Sequence, residues 1–255
     1  MISRRLLLLA PAALLGAADR VPVAATPISR METAPWRARH LGKLDEARSR
    51  RIDLVWLGDS ITQDWEANGP EEWRVFAPVW QRFYGDRNAL NLGFGGDTTA
   101  HLLWRMENGE LDGLHPKVAI ILIGANNMGR VRWNAPQTVA GIDAAISVAQ
   151  RRMPGTKILL LSVLPSIRSK YVTRTTEAIN RDLATHYSNG GVPGVTWFDA
   201  TNLFMKNGEV DRTQFFDDQL TPPSAPLHPT AQAQARLAEA IEPTLAGLMG
   251  DRAKR

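Results

Sequence analysis

The stretch Ile52-Asp53-Leu54-Val55-Trp56-Leu57-Gly58 constrains the fold of this chain more than any other. It is a short apolar run that closes on glycine, and the small polar residues Asp59-Ser60-Ile61-Thr62 follow at once. Such a run reads as a buried parallel strand. It delivers Ser60 into the turn at its carboxyl end, the edge of an open α/β sheet where ligands bind. A serine placed there can present both its hydroxyl and a backbone N–H to one point, which is half of an acyl-transfer site. The plainer alternative is that Asp59 and Ser60 only cap the next helix.

The same pattern recurs. Residues 89–92, 118–123 and 157–163 read as further strands, and 195–198 as a weaker fifth. Between them lie helical patterns, among them 136–152 with Val139, Ile142, Ala145, Ile146 and Ala149 on one face, and 230–248 with Leu237, Ile241 and Leu245. Strands alternating with helices imply βαβ crossovers, a parallel sheet and helices on both faces. The predicted fold is therefore a three-layer α/β/α domain with a five-stranded parallel sheet over residues 51–250. A single core suffices for 255 residues. Ahead of it, residues 26–50 read as a proline-containing linker followed by a helix with Leu41 and Leu44 at helical spacing. Trp65, Trp73, Phe76, Trp80 and Phe83 read as core and lid packing, with a carbohydrate platform as the alternative.

The other strand ends carry chemistry too. Gly93-Phe94-Gly95-Gly96-Asp97 follows the second strand, where glycines let a backbone approach a ligand closely and a helix start favours negative charge. It lacks the Lys-Ser/Thr of a phosphate-binding loop and the spacing of a dinucleotide fingerprint. Gly124-Ala125-Asn126-Asn127 follows the third strand and offers side-chain amide donors, or turn chemistry alone. Leu227-His228-Pro229-Thr230 stands just before the last helix. A histidine there can swing over the sheet edge, though taken alone such a residue is more often a surface histidine.

Composition narrows the partners. The net charge of +4 is spread along the chain without a basic stripe, so nucleic acid is not an expected partner. Cysteine is absent, which excludes disulfides and a thiolate nucleophile, and no metal-ligand spacing or cofactor signature is present. The N-terminus reads as a secretory signal peptide over residues 1–25: Arg4-Arg5, an apolar run from Leu6 to Ala18, then small residues at 16–18 and 23–25. The run is too short to span a bilayer comfortably, so stable membrane insertion is not expected. Export to a periplasm or beyond follows, by the general or the twin-arginine route. Nothing in the sequence speaks to oligomeric state.

Gly58-Asp59-Ser60-Ile61, Gly95-Gly96-Asp97, Gly124-x-Asn126-Asn127 and Leu227-His228 fall in the order and approximate spacing of the blocks of GDSL, or SGNH, hydrolases. The stretch from Asn91 to Leu122 is more narrowly similar to the catalytic subunits of intracellular platelet-activating-factor acetylhydrolases. The resemblance implies the flavodoxin-like SGNH fold and a serine esterase acting on short-chain, acetyl-type esters. It implies Ser60 as nucleophile and His228 as general base. The oxyanion donors would be the Ser60 and Gly96 backbone N–H groups and the Asn126 side chain.

One departure stands out. The family places an aspartate three residues before the histidine, and here that residue is Ala225. The expectation is a Ser60–His228 dyad with a backbone carbonyl on the other ring nitrogen; Asp217 or Asp218, from upstream, is the alternative third member. Asp59 is expected to hold its loop. A lysophospholipase or thioesterase, or a weakened site that only binds an acylated ligand, stays open as an alternative function.

Overall fold

The computed structural model describes residues 21–254. The helices and strands run α1 (Ala34–Ser49), β1 (Leu54–Gly58), α2 (Ser60–Gln63), α3 (Ala77–Tyr84), β2 (Ala89–Gly93), α4 (Thr99–Arg105) and β3 (Val118–Leu122). They continue with α5 (Ala125–Gly129), α6 (Ala135–Arg152), β4 (Lys157–Leu161), α7 (Lys170–Tyr187) and β5 (Val195–Phe198). A two-residue hairpin, β6 (Met205–Lys206) with β7 (Glu209–Val210), and the last helix, α8 (Ala231–Met249), complete the described chain.

All five apolar runs form strands, and they pair in parallel in the order β2-β1-β3-β4-β5. Every residue of β1, β2 and β3 is buried, as strands covered on both faces must be. From β1 the chain goes first to one neighbour, β2, and then returns to the other, β3. The topological switch therefore lies between the carboxyl ends of β1 and β3, where a crevice opens in such sheets. Gly58 sits level with Leu122 in the register, so Ser60 and Asn126 leave the sheet side by side. Gly93 lets α2 begin so close to the sheet, because a Cβ there would lie 2.5 Å from the Thr62 carbonyl carbon.

Of the five aromatic residues from Trp65 to Phe83, three are core and two, Trp73 and Trp80, are half-buried. Trp65, Phe76 and Phe83 are buried, and Trp65 meets Trp56 and Tyr84 with ring centroids 5.8 and 5.5 Å apart. Arg87, at the entry to β2, is buried against Glu242 of α8 at 2.6 and 2.8 Å and so fastens that helix to the sheet edge. No helix among the described residues is long and apolar enough to cross a membrane.

Two expectations for the N-terminal region change. Leu41 points to solvent, and the face of α1 that packs carries Trp36, His40, Lys43 and Ala47. This face is polar because it lies against carboxylates: His40 meets the buried Glu110 at 3.1 Å, and Lys43 reaches Glu66 at the surface. Residues 26–33 are not a free linker either. The Ile28 N–H donates to the Ala100 carbonyl at 3.0 Å and Arg30 Nη1 donates to Asp97 Oδ1 at 2.8 Å. The expected leader lies outside the described residues up to position 20. Its expected last residues lie within them: Ala24 is buried, and its carbonyl accepts a 2.7 Å bond from Thr99 Oγ1.

Candidate active site

Ser60 is the first residue of α2, and Asp59 is its N-cap, with Oδ1 accepting the Ile61 N–H at 3.0 Å. The first N–H groups of a helix lack intrahelical acceptors, and the Ser60 N–H meets no acceptor among the described residues. The Gly96 N–H is likewise unengaged. Gly96 has φ +78°, a left-handed conformation that aims its amide out of the loop and that a side chain would strain. Asn126 joins the two loops: its Nδ2 donates to the Asp97 carbonyl at 3.0 Å and, at 3.3 Å, to Asp59 Oδ2. Ser60, Gly96 and Asn126 thus stand on neighbouring loops at the carboxyl ends of β1, β2 and β3. Asp59 holds the loop through both carboxylate oxygens; burial pushes its pKa up to about 7, and the Ile61 N–H offsets only part of that.

His228 Nε2 lies 3.0 Å from Ser60 Oγ, and Nδ1 lies 2.7 Å from Asp217 Oδ1. The nitrogen expected to face a backbone carbonyl thus faces a carboxylate, and the dyad expectation is corrected. An ionised carboxylate only accepts, which assigns the proton to Nδ1 and leaves the Nε2 lone pair towards the serine. The second oxygen of Asp217 accepts the backbone N–H groups of Leu227 and His228 at 2.7 and 2.6 Å. Burial tends to raise the Asp217 pKa, but His228 and these two N–H groups outweigh it and hold the carboxyl below its ordinary range. Conversely, burial tends to lower the His228 pKa, and Asp217, with Asp64 and Asp59 further off, outweighs it and leaves it raised.

Asp217 reaches a residue eleven positions away because the flanking segments pair. Phe215 and Pro229 form an antiparallel bridge, the Phe216 N–H donates to the His228 carbonyl, and the Thr230 N–H donates to that of Gln214. The intervening proline-rich loop projects outward, leaving Ala225 exposed. Asp218, the other upstream candidate, turns away and pairs with Arg212 at 2.6 and 2.9 Å. Phe216 stacks on the His228 ring at 5.4 Å and Trp73 stacks on Phe216 at 4.8 Å, so the imidazole is held on one face as well as at both nitrogens.

Sequence reasoning missed the charged scaffold beneath the Gly96 loop. Arg105 is wholly buried: Nε donates to Asp97 Oδ2 at 2.8 Å, Nη1 pairs with Glu110, and Nη2 donates to the Gly58 carbonyl at 3.1 Å. Asp97 Oδ1 accepts in addition from Trp36 Nε1 and Arg30, each at 2.8 Å. The end of β1 and the Gly96 loop are thereby tied to one guanidinium. Trp-Arg at 104–105 sits in a helical pattern, and nothing local marks that arginine as buried. A cavity of ≈ 610 Å³ lies elsewhere, between α7, the β4–α7 loop and the β6–β7 hairpin. Neither Ser60, His228, Gly96 nor Asn126 lines it.

A parallel 2-1-3-4-5 sheet of the flavodoxin-like type, with serine, histidine and aspartate meeting at its switch point, has the arrangement of a serine hydrolase. Residues 56–236 match the GDSL-like Lipase/Acylhydrolase family. The chain belongs to that family and is an ester hydrolase. It is 28% identical over 200 residues to the platelet-activating factor acetylhydrolase IB subunit alpha1 of Bos taurus, covering 75% of this chain and 78% of that one. Its fold is similar to that of a GDSL-like lipase from Bacteroides thetaiotaomicron (TM-score 0.61, 15% identity, 82% of this chain and 98% of the other). It is also similar to that of a carbohydrate esterase family 3 protein from Talaromyces cellulolyticus (TM-score 0.55, 16% identity, 79% and 100%).

Proposed function

We propose that this chain is a serine esterase that removes short, acetyl-type acyl groups from a carbohydrate or other small metabolite through an acyl-enzyme. The observation that carries this reading is His228 standing between Ser60 Oγ and the Asp217 carboxylate. Ser60 Oγ attacks the ester carbonyl as Nε2 takes its proton, and Asp217 stabilises the imidazolium that forms. The developing oxyanion meets the Ser60 and Gly96 N–H groups and the Asn126 amide, whose long bond to Asp59 is the one it shares or gives up. Collapse expels the alcohol with the proton from Nε2, and a water activated by the same nitrogen releases the acid. The acetyl preference rests on the acetylhydrolase relative, and the carbohydrate reading on the likeness to a carbohydrate esterase.

The test is p-nitrophenyl acetate together with a fluorophosphonate. Release of p-nitrophenol and phosphonylation of Ser60, both lost in Ser60→Ala, support the reading. Turnover that survives in Ser60→Ala, or binding of an acylated ligand with no turnover at all, overturns it.

We further propose that the protein is exported. The charged N-terminus and the apolar run that follows support a leader. Because Ala24 is buried and its carbonyl accepts from Thr99, cleavage after Ala25 would remove contacts of the fold that cleavage further upstream, near Gly16-Ala17-Ala18, would keep. N-terminal sequencing of protein from its native host is expected to begin between these positions and Val23. A cytoplasmic chain that begins at Met1 rules the leader out.

A further inference from the structure

The Gly95–Gly96 edge of the crevice is crowded with guanidinium groups. Arg30 Nη1 donates to the Gly95 carbonyl at 3.0 Å. A Cβ on Gly96 would collide with Arg130 Nη1 and would lie 3.5 Å from Arg30 Nη1, so both cations rest on the backbone that offers an oxyanion donor. Arg168 comes in from the far side of α5: Nη2 donates to the Ala125 carbonyl at 2.8 Å, next to Asn126, and Nε donates to Ser166 Oγ at 3.0 Å. The Arg168 guanidinium packs on Gly129, immediately before Arg130.

These cations are unequally compensated. Arg30 pairs with Asp97, a carboxylate that Arg105 also uses. Arg168 hydrogen-bonds only neutral groups, and the carboxylates of Asp59 and Asp217 offset part of its charge. Arg130 is exposed, and no carboxylate among the described residues pairs with its guanidinium. Its neighbour Arg132, by contrast, rests over the Tyr171 ring at 5.3 Å. Two acids of the crevice are bound by other groups: Asp217 by His228, and Asp59 by Ile61 and Asn126. Asp64 is in no ion pair among the described residues, and the charges nearest it are those of His228 and Arg74. An exposed arginine with no carboxylate partner, lying against Gly96, is a ready fork for carboxylate or phosphate.

We propose that Arg130 is a specificity determinant that binds an anionic group, a carboxylate or a phosphate, on the alcohol half of the ester, with Arg168 adding to the field. The inference rests on the esterase reading. It places the anion on the alcohol half because an acetyl group carries no charge. Clustered cations at the mouth of a site also raise the local concentration of an anionic substrate.

The experiment measures kcat/KM for 4-acetoxybenzoate and for its uncharged methyl ester, which share the acetyl group and the ring. The ratio of the two cancels differences in the amount of active enzyme. In Arg130→Gln the ratio is expected to fall about fivefold or more, the size of a lost charge-assisted hydrogen bond at a partly exposed site. Arg130→Lys is expected to keep part of it, and added salt to lower the wild-type ratio selectively. The same comparison with 4-acetoxyphenyl phosphate tells which anion is preferred. A ratio unchanged in Arg130→Gln for both anions overturns the proposal. If that happens while Ser60→Ala is inactive on all these esters, only this proposal fails; if Ser60→Ala still hydrolyses them, the esterase reading fails with it.

Discussion

Replacing Asp217 by Asn is expected to lower kcat on a small ester by about 10⁴, the cost of losing the orienting carboxylate in a triad of this geometry. The amide keeps the shape but presents no charge to the imidazolium, and its NH₂ can donate to Nδ1 and so favour the wrong tautomer. The pH profile should move as well. His228 acts as a base only when neutral, so kcat/KM falls as pH drops through its pKa. In the wild type Asp217 outweighs the effect of burial and raises that pKa from 6.5, so the acid limb lies above 6.5. Without the carboxylate, burial dominates and the limb shifts to lower pH even as the plateau collapses. Asp218→Asn should change little, because Asp218 pairs with Arg212 on the surface. Ala225→Asp should give no gain, because the position is exposed and the ring nitrogen is already taken. A large loss in Asp218→Asn, or a wild-type rate in Asp217→Asn, contradicts the triad.

Asn126→Ala is expected to cost ~10²–10³ in turnover, as removal of one oxyanion donor does. The loss should fall on kcat more than on KM, since the amide meets full charge only in the tetrahedral intermediate. Asn126 also ties the Asp97 carbonyl to Asp59, so a purely structural role is the competing account. The two differ in what moves. A donor role lowers kcat with the thermal midpoint nearly kept, whereas a loop-holding role lowers the midpoint and raises KM while kcat persists. An unchanged kcat removes Asn126 from the oxyanion hole.

The scaffold beneath this site holds in place the loops that carry the three proposed oxyanion donors. Arg105 bonds the last carbonyl of β1 and the side chain of Asp97, and Asn126 bonds the backbone of Asp97. The Ser60 turn, the Gly96 loop and the Asn126 turn therefore share buried, charge-assisted contacts that are costly to break once desolvated. Donors fixed in this way need no reorganisation when charge develops on the substrate, which is the basis of their effect on rate.

Residue order alone is enough to place the sheet and the loops that carry chemistry. Short apolar runs that close on Gly58, Gly93 and Gly124 read as buried strands, and their alternation with helical patterns implies parallel crossovers. Ser60, Gly96, Asn126 and His228 were legible because each stands at a fixed short distance from such an element. Asp217 was not singled out, because its proximity to His228 is created by an antiparallel bridge between Phe215 and Pro229 across a proline-rich loop, and no periodicity records that pairing. The buried face of α1 was misread for a related reason. Leucines mark a core face only where the neighbour is apolar, and here the neighbour is a carboxylate network that draws in His40 and Lys43 and leaves Leu41 in water. Local pattern reports burial against an apolar layer. Contacts between charged groups distant in sequence depend on which loops the finished sheet brings together, and only the tertiary structure decides that.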